Sequence, residues 1–152
     1  MLYTHFVPQD IGSYSSSYDK NTENMFLIFA DLKGFTKMSS ELSEFKLEGA
    51  EILADLINQA MTLIINEVKK YNGIIYKFAG DAITIYFNEK NFSIYNVLDC
   101  AISIIEIIKK NSILKTEKAS YDIAIKIGIS YGKMQKIILK NSDHNDYLLL
   151  GT

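Results

Sequence analysis

The chain has 152 residues, enough for one domain with a buried core, and its 48% hydrophobic and 22% charged residues are typical of a globular protein. Its net charge of −2 argues against a nucleic-acid partner. All 16 cationic residues are lysines, which excludes chemistry that needs an arginine of this chain. The single cysteine, Cys100, excludes an internal disulfide. The sequence contains neither an apolar run long enough for a transmembrane segment nor a signal-peptide pattern, so we expect a cytoplasmic location.

The chain begins with an irregular region that is followed by a strand. Residues 1–24 hold the only proline and a serine-rich run, which predicts an arm or linker before a domain over residues 25–152. The continuous apolar run from Met25 to Ala30 predicts a short strand buried on both faces. It stops at Asp31, and Gly34 then turns the chain.

Two helices and a hairpin are predicted next. Residues 35–42 can form a short helix, and apolar residues then recur at three- and four-residue spacing from Phe45 to Tyr71, which predicts a long amphipathic helix. Two apolar runs follow, Ile74 to Ala79 and Ala82 to Phe87, and the Gly80-Asp81 link between them is typical of a tight hairpin.

The remaining elements complete a recognisable order. Residues 94–111 predict a second amphipathic helix, and isoleucines alternate from Ile123 to Tyr131 as in a strand with one buried face, which we expect Gly132 to end. Residues 137–139 and 147–150 predict a last hairpin. The order β-α-β-β-α-β predicts an α+β, ferredoxin-like fold, with an antiparallel sheet covered by two helices and an extra C-terminal hairpin.

Two carboxylates occupy special positions in this order. Asp31 ends the first strand, and Asp81 lies at the tip of the hairpin between the next two strands. The central strands of such a sheet are neighbours, so both side chains can meet at one edge, where they repel each other unless a cation lies between them. Hard divalent ions prefer oxygen ligands and leave coordination positions for phosphate oxygens. Each residue alone can equally be an ordinary strand-end or turn residue.

Three motifs carry a resemblance to a known family. The run FADLKGFT from Phe29 to Thr36 resembles the F-A-D-I-x-G-F-T signature of class III nucleotidyl cyclases. The run KFAGDA from Lys77 to Ala82 resembles their K-x-x-G-D-A hairpin, and IKIGISYG from Ile125 to Gly132 resembles a later strand. Phe6-Val7-Pro8 is similar to an element that precedes many of these domains. The resemblance spans nearly the whole chain in the family's order.

The resemblance implies roles for the first two motifs. Asp31 and Asp81 would be metal ligands, with the main-chain carbonyl of Leu32 as a third donor, for two Mg²⁺ or Mn²⁺ ions per site. The phosphates of the nucleotide would contact the loop that follows, namely Lys33, Gly34, Phe35 and Thr36.

The resemblance is incomplete near the end of the chain. Adenylyl cyclases have an Asp or Thr that helps to select adenine at the position of Leu148, and their transition-state Asn and Arg would come just beyond Thr152. We therefore expect a domain that is incomplete at its C-terminus. No catalytic side chain beyond the metal ligands is implied. Class III sites form between two domains, so a second cyclase domain is the implied partner, in a heterodimer, a tandem chain or a homodimer.

The chain is most similar to the first, metal-binding domain of soluble bicarbonate-responsive adenylyl cyclases. Lys77, which matches a base-recognising lysine in catalytic halves, would there belong to a degenerate second pocket that receives bicarbonate. The implied enzyme converts ATP to cyclic AMP and pyrophosphate and is inactive without its partner. The alternative is a non-catalytic cyclase-homology module that dimerises and senses a nucleotide or an effector.

Overall fold

The computed structural model of the chain describes residues 20–116, 120–140 and 145–151. In chain order its elements are β1 (Lys20–Lys33), α1 (Phe35–Ser43), α2 (Lys46–Lys70), β2 (Ile74–Ala79), β3 (Ala82–Asn88), α3 (Ile94–Lys110), β4 (Ile113–Lys115), β5 (Ser120–Asp122), β6 (Ala124–Lys140) and β7 (Asn145–Gly151). Five strands form an antiparallel sheet in the order β2-β3-β1-β6-β7, and β4 pairs with β5. The predicted ferredoxin-like α+β fold is thereby confirmed. No helix in the described ranges is both long and apolar enough to cross a membrane.

The main core lies between one face of the sheet and the helices. Alternate side chains of a strand point to opposite faces, and in β1 the even-numbered residues enter this core. They are Phe26, Ile28, Ala30 and Leu32, and they pack with buried residues of α1, α2 and α3. Cys100 of α3 is fully buried there, as its apolar sequence context predicts, and burial raises the pKa of its thiol to about 12.

A second, smaller cluster covers part of the opposite face of the sheet. Tyr147 and Leu149 of β7 are buried against Met25 and Tyr86. The ring centroids of Tyr76 and Tyr147 lie 5.3 Å apart, and the N–H of Leu149 donates a hydrogen bond to the Tyr76 hydroxyl at 3.1 Å. Because Tyr76 belongs to β2, the sheet curls until its two edge strands are in contact.

Lys136 of β6 is the unusual member of this region, since it is only 2% exposed. Its ammonium group lies 5.7 Å from the ring centroid of Tyr86 and 5.2 Å from that of Tyr147, and it donates to the Tyr86 hydroxyl at 3.3 Å. A cation over aromatic rings is attracted to their negative faces, most strongly where water is excluded. This contact helps to hold β7 against the sheet.

The strands at the two ends of the chain differ from the prediction. β1 begins at Lys20, so the last five residues of the expected arm belong to a strand, and residues 1–19 lie outside the described ranges. Gly132 does not end its strand, because β1 continues alongside and pairs Met25 with Gly132. The second half of β6 then serves as the first strand of the predicted last hairpin.

The short β4–β5 hairpin is absent from the sequence prediction. Its strands have three residues each, too few for alternation to be visible, and tertiary packing stabilises them. Leu114 of β4 is buried, and the N–H of Ile123 donates to the carbonyl of Ser112 at 2.7 Å. The hairpin therefore contributes to the main core, which includes both Leu114 and Ile123.

Candidate functional site

Asp31 and Asp81 lie side by side at one end of the sheet, as the sequence predicts. Asp31 pairs with Ala82, the residue after Asp81, in the β1–β3 ladder. The N–H of Leu32 donates to the main-chain carbonyl of Asp81 at 3.1 Å, which fixes the hairpin tip beside the end of β1. Gly80 takes a φ of +62° in the two-residue link, a conformation that glycine adopts without steric cost. Both carboxylates are half-buried.

The donors at this point suit a hard cation with open coordination positions. Two carboxylates and the neighbouring carbonyl of Leu32 are all oxygen donors, the type that Mg²⁺ and Mn²⁺ bind. In the described ranges no group of three or more His, Cys, Asp or Glu side chains could hold a metal ion. A metal bound here would therefore take its other ligands from outside this set, such as the phosphates of a nucleotide or water.

The predicted phosphate-binding loop joins this point to α1. Gly34 has a φ of +103°, and a side chain there would approach the carbonyl oxygen of Asp122, so only glycine fits. Phe35 is buried and anchors the first turn of α1, whereas Lys33 and Thr36 are exposed. The first N–H groups of a helix have no partner within it, and they favour anions.

A cavity of about 340 Å³ opens beside the loop. It lies between the start of α1, the middle of α2 and the hairpin tip, and its lining residues are Phe35, Thr36, Ser39, Leu53, Ile57, Gly80 and Asp81. Asp81 therefore lines the same cavity as Phe35 and Thr36 of the predicted phosphate-binding loop.

Lys126 belongs to the same end of the sheet, although the sequence prediction did not single it out. It pairs directly with Asp31 across β1 and β6, so the two side chains share a face, with Cβ atoms about 4.5–5.5 Å apart as in any such pair. Lys126 is exposed. Its position as a cation between Ile125 and Ile127, which pack against the core, is the signal that could have identified it.

Lys77 and Leu148 lie on the two edge strands, next to the contact that joins them. Lys77 is exposed on β2 and pairs with Thr84, and Leu148 is exposed on β7 and pairs with Ile137. Each follows in sequence one ring of the Tyr76–Tyr147 contact. The structure thus brings together the tyrosines that precede Lys77 and Leu148, and a shared pocket for these two side chains stays a prediction.

Comparison with known proteins agrees with the motifs. The family described as the adenylate and guanylate cyclase catalytic domain matches residues 17–147. Human adenylate cyclase type 10 is 27% identical over 155 residues, covering 99% of this chain but 9% of the relative, so the chain spans under a tenth of that protein's length.

Solved structures show the same fold. The adenylyl cyclase CyaB from P. aeruginosa is 26% identical, with a TM-score of 0.65 over 88% of this chain and 68% of that chain. A guanylyl cyclase domain from the aquatic fungus Blastocladiella emersonii is 21% identical, with a TM-score of 0.68 over 88% of this chain and 71% of that chain, and at that identity it shows the fold alone. With a family match over most of its length and two acidic residues adjacent at one end of the sheet, the chain belongs to the adenylate and guanylate cyclase catalytic domain family.

Proposed function

We propose that this domain is the metal-binding half of an adenylyl cyclase that converts ATP to cyclic AMP and pyrophosphate in cyclic-nucleotide signalling. The observation that carries the proposal is the hydrogen bond from Leu32 to Asp81, which holds Asp31 and Asp81 at the same strand end. A module that only dimerises has no use for two adjacent acids, whose repulsion destabilises the fold. The curated relatives, named adenylate cyclase type 10, support ATP as the substrate.

Divalent metal ions are used by this family, and the oxygen donors at the site fit them. Asp31, Asp81 and the carbonyl of Leu32 would hold two Mg²⁺ or Mn²⁺ ions. When bound, such a pair activates the attacking hydroxyl and stabilises the leaving group of an in-line displacement at phosphorus.

The chain itself supplies groups that bind and orient the triphosphate. The N–H groups of Lys33, Gly34, Phe35 and Thr36 lie at the turn that enters α1, where the helix N-terminus favours phosphate. Lys126, opposite Asp31, adds a positive charge on the sheet face. Since no arginine is present, the donors that stabilise the transition state come from a second cyclase domain.

Base recognition is divided between the partner and this domain. Leu148 presents an apolar side chain, so it cannot donate or accept a hydrogen bond to adenine. Lys77 would bind either an effector such as bicarbonate or the base, and its exposed ammonium group suits an anion. The cytoplasmic location that the sequence predicts stays a prediction.

The nucleotide produced tests the proposal directly. We mix the chain with a second cyclase domain that carries the missing Asn and Arg and offer ATP and GTP separately with Mn²⁺. Cyclic AMP from ATP is the expected product, detected by chromatography and mass. If cyclic GMP predominates, or if neither product forms with any active partner domain, the proposal is wrong.

Replacing Lys126 tests whether this residue, which the β1–β6 register places opposite Asp31, binds the phosphates. Lys126→Met is expected to weaken binding of a Mn²⁺–ATP analogue by at least about tenfold, because a charge-assisted contact contributes about 1.5–3 kcal/mol. Lys126→Arg should restore most of the affinity. Calorimetric titration measures both, with Lys109→Met, an exposed lysine of α3, as the matched control. Equal affinity in Lys126→Met and the wild type would place the phosphates away from β6.

A further inference from the structure

The edge strand β2 contains an extra residue next to Lys77. Ile75 pairs with Ile85, and Lys77 pairs with Thr84, the adjacent residue of β3. Tyr76 therefore has no partner of its own in the ladder, which is the pattern of a β-bulge. In a regular strand, residues two apart point to the same face, so Lys77 would follow the buried Ile75 into the main core. The bulge turns Lys77 to the opposite face instead.

Lys77 and Asp31 consequently lie on the same face of the sheet. Directly paired residues share a face, and Lys77 pairs with Thr84, whose neighbour Ile85 is buried in the main core. Asp31 pairs with Ala82, two residues before Thr84 on β3 and thus on the same side. We call this side of the sheet, opposite the main core, the site face. Lys77 is exposed on it.

Two contacts with β7 hold the bulged residue in place. The ring of Tyr76 packs against that of Tyr147, with the centroids 5.3 Å apart and the planes at 51°. The hydroxyl of Tyr76 accepts a hydrogen bond from the N–H of Leu149 at 3.1 Å. The first contact fixes the ring and the second fixes its polar end, so the conformation of the bulge depends on the position of β7.

Lys136 in turn holds Tyr147. Its ammonium group lies 5.2 Å from the centroid of that ring and donates to the hydroxyl of Tyr86 at 3.3 Å. Lys136 is buried, and an apolar side chain would fill its place at lower cost, because burial of a charge opposes folding. What the charge adds is attraction to the negative faces of the two rings, which fixes their orientation. A series of contacts thus runs from Lys136 through Tyr147 to Tyr76, the residue before Lys77.

We propose that Lys136 is a positioning residue, which acts through Tyr147 and Tyr76 to hold Lys77 on the site face, where Lys77 binds a small anion. This role rests on the proposed function in one respect, namely that Lys77 binds a ligand. Lys136 does not reach the ligand itself, since it is 2% exposed and its ammonium group is directed at the tyrosines. A side chain that is held ready for its ligand loses less conformational entropy on binding.

NMR spectroscopy of the chain tests this role, with bicarbonate as the probe. Lys136→Met keeps the volume of the side chain and can still contact the rings, but it removes the charge. We expect this variant to shift the side-chain signals of Lys77 and to weaken bicarbonate binding at least about fivefold, because a cation contact in buried surroundings is lost. Lys136→Arg, which keeps the charge, should restore most of the affinity. The matched control is Lys133→Met, an exposed lysine of the same strand, which should change neither.

A double variant distinguishes positioning from direct contact with the anion. Binding is followed at the amide of Thr84, which every variant retains and which lies opposite Lys77. Lys77→Met should weaken binding more than Lys136→Met does, because it removes the charge that binds the anion. The double variant should bind bicarbonate no more weakly than Lys77→Met alone, since two effects that act through one side chain do not add. Thermal unfolding must show that each variant is folded, and Lys136→Gln, which also lacks the charge, replaces Lys136→Met if that variant is not.

Three results would overturn the proposal. The first is that the signals of Lys77 are the same in Lys136→Met as in the wild type. The second is that the double variant binds bicarbonate more weakly than Lys77→Met does, because the two lysines then act independently. The third is that the wild-type chain binds no bicarbonate. Each of them leaves the proposed cyclase activity standing, because none depends on a measurement of cyclic AMP.

Discussion

The isolated 152-residue chain is expected to form no measurable cyclic AMP from ATP, with Mg²⁺ or with Mn²⁺. A second cyclase domain that supplies Arg and Asn should raise the rate by about 10⁴-fold or more, because each lost transition-state donor typically costs about 10²-fold. The reason is compositional, since all 16 cationic residues are lysines and none can replace a planar, bidentate guanidinium. The measurement is the rate of cyclic AMP formation against the concentration of added partner.

The matched control for this mixture is the same partner domain with its Arg replaced by Lys. It should associate with the chain, as sedimentation can show, and yet restore almost no activity. Robust turnover by the purified chain alone would show that the transition state is stabilised by groups of this domain. The division of the site between two domains would then be wrong.

Asp31→Asn and Asp81→Asn are each expected to reduce the activity of the assembled pair by at least about 10³-fold, comparable to other losses of charge-stabilising groups in active sites. The amide keeps the size of the side chain but loses the negative charge that a hard divalent cation requires. Calorimetry should also show that the nucleotide-dependent part of Mn²⁺ binding disappears in both variants.

Asp99→Asn is the control for these substitutions, because Asp99 is an exposed carboxylate on α3, outside the predicted site. It should leave activity and Mn²⁺ binding unchanged. Thermal unfolding must show that all three variants are folded. If Asp31→Asn and Asp81→Asn bind Mn²⁺ and nucleotide as the wild type does, the metal site lies elsewhere in the assembly.

The proximity of Asp31 and Asp81 could be predicted because it depends on local sequence signals and on one rule of sheet topology. Gly80 and Gly34 mark the turns, the apolar runs mark the strands, and neighbouring central strands then bring the two acids together. The alternation from Ile125 to Ile127 indicates that Lys126 lies on the face away from the core, but its position opposite Asp31 could not be recognised in the same way. It depends on the register between β1 and β6, which forms over a long sequence separation and is fixed by pairing rather than by composition.

The parts of the fold that escaped prediction are also those that depend on distant contacts. Gly132 looks like a strand end, but β1 supplies a pairing partner as far as Lys20 and the strand continues. The contact of Tyr76 with Tyr147 joins residues 71 positions apart, and no periodicity in either segment indicates it. The β4–β5 hairpin is too short for its pattern to differ from that of a loop.

The curl of the sheet brings together two edge strands that lie at opposite ends of the strand order. β2 and β7 are the outermost strands of the sheet, yet Tyr76 and Tyr147 bring them into contact. Lys77 and Leu148 each follow one of these tyrosines in sequence. A ligand that displaces Tyr76 would therefore break its contact with Tyr147 and the hydrogen bond from Leu149, and so disturb both edges. If a ligand bound at Lys77 displaced Tyr76, the surface around Leu148 would change with it, and the coupling free energy between the two positions would be the same in both directions.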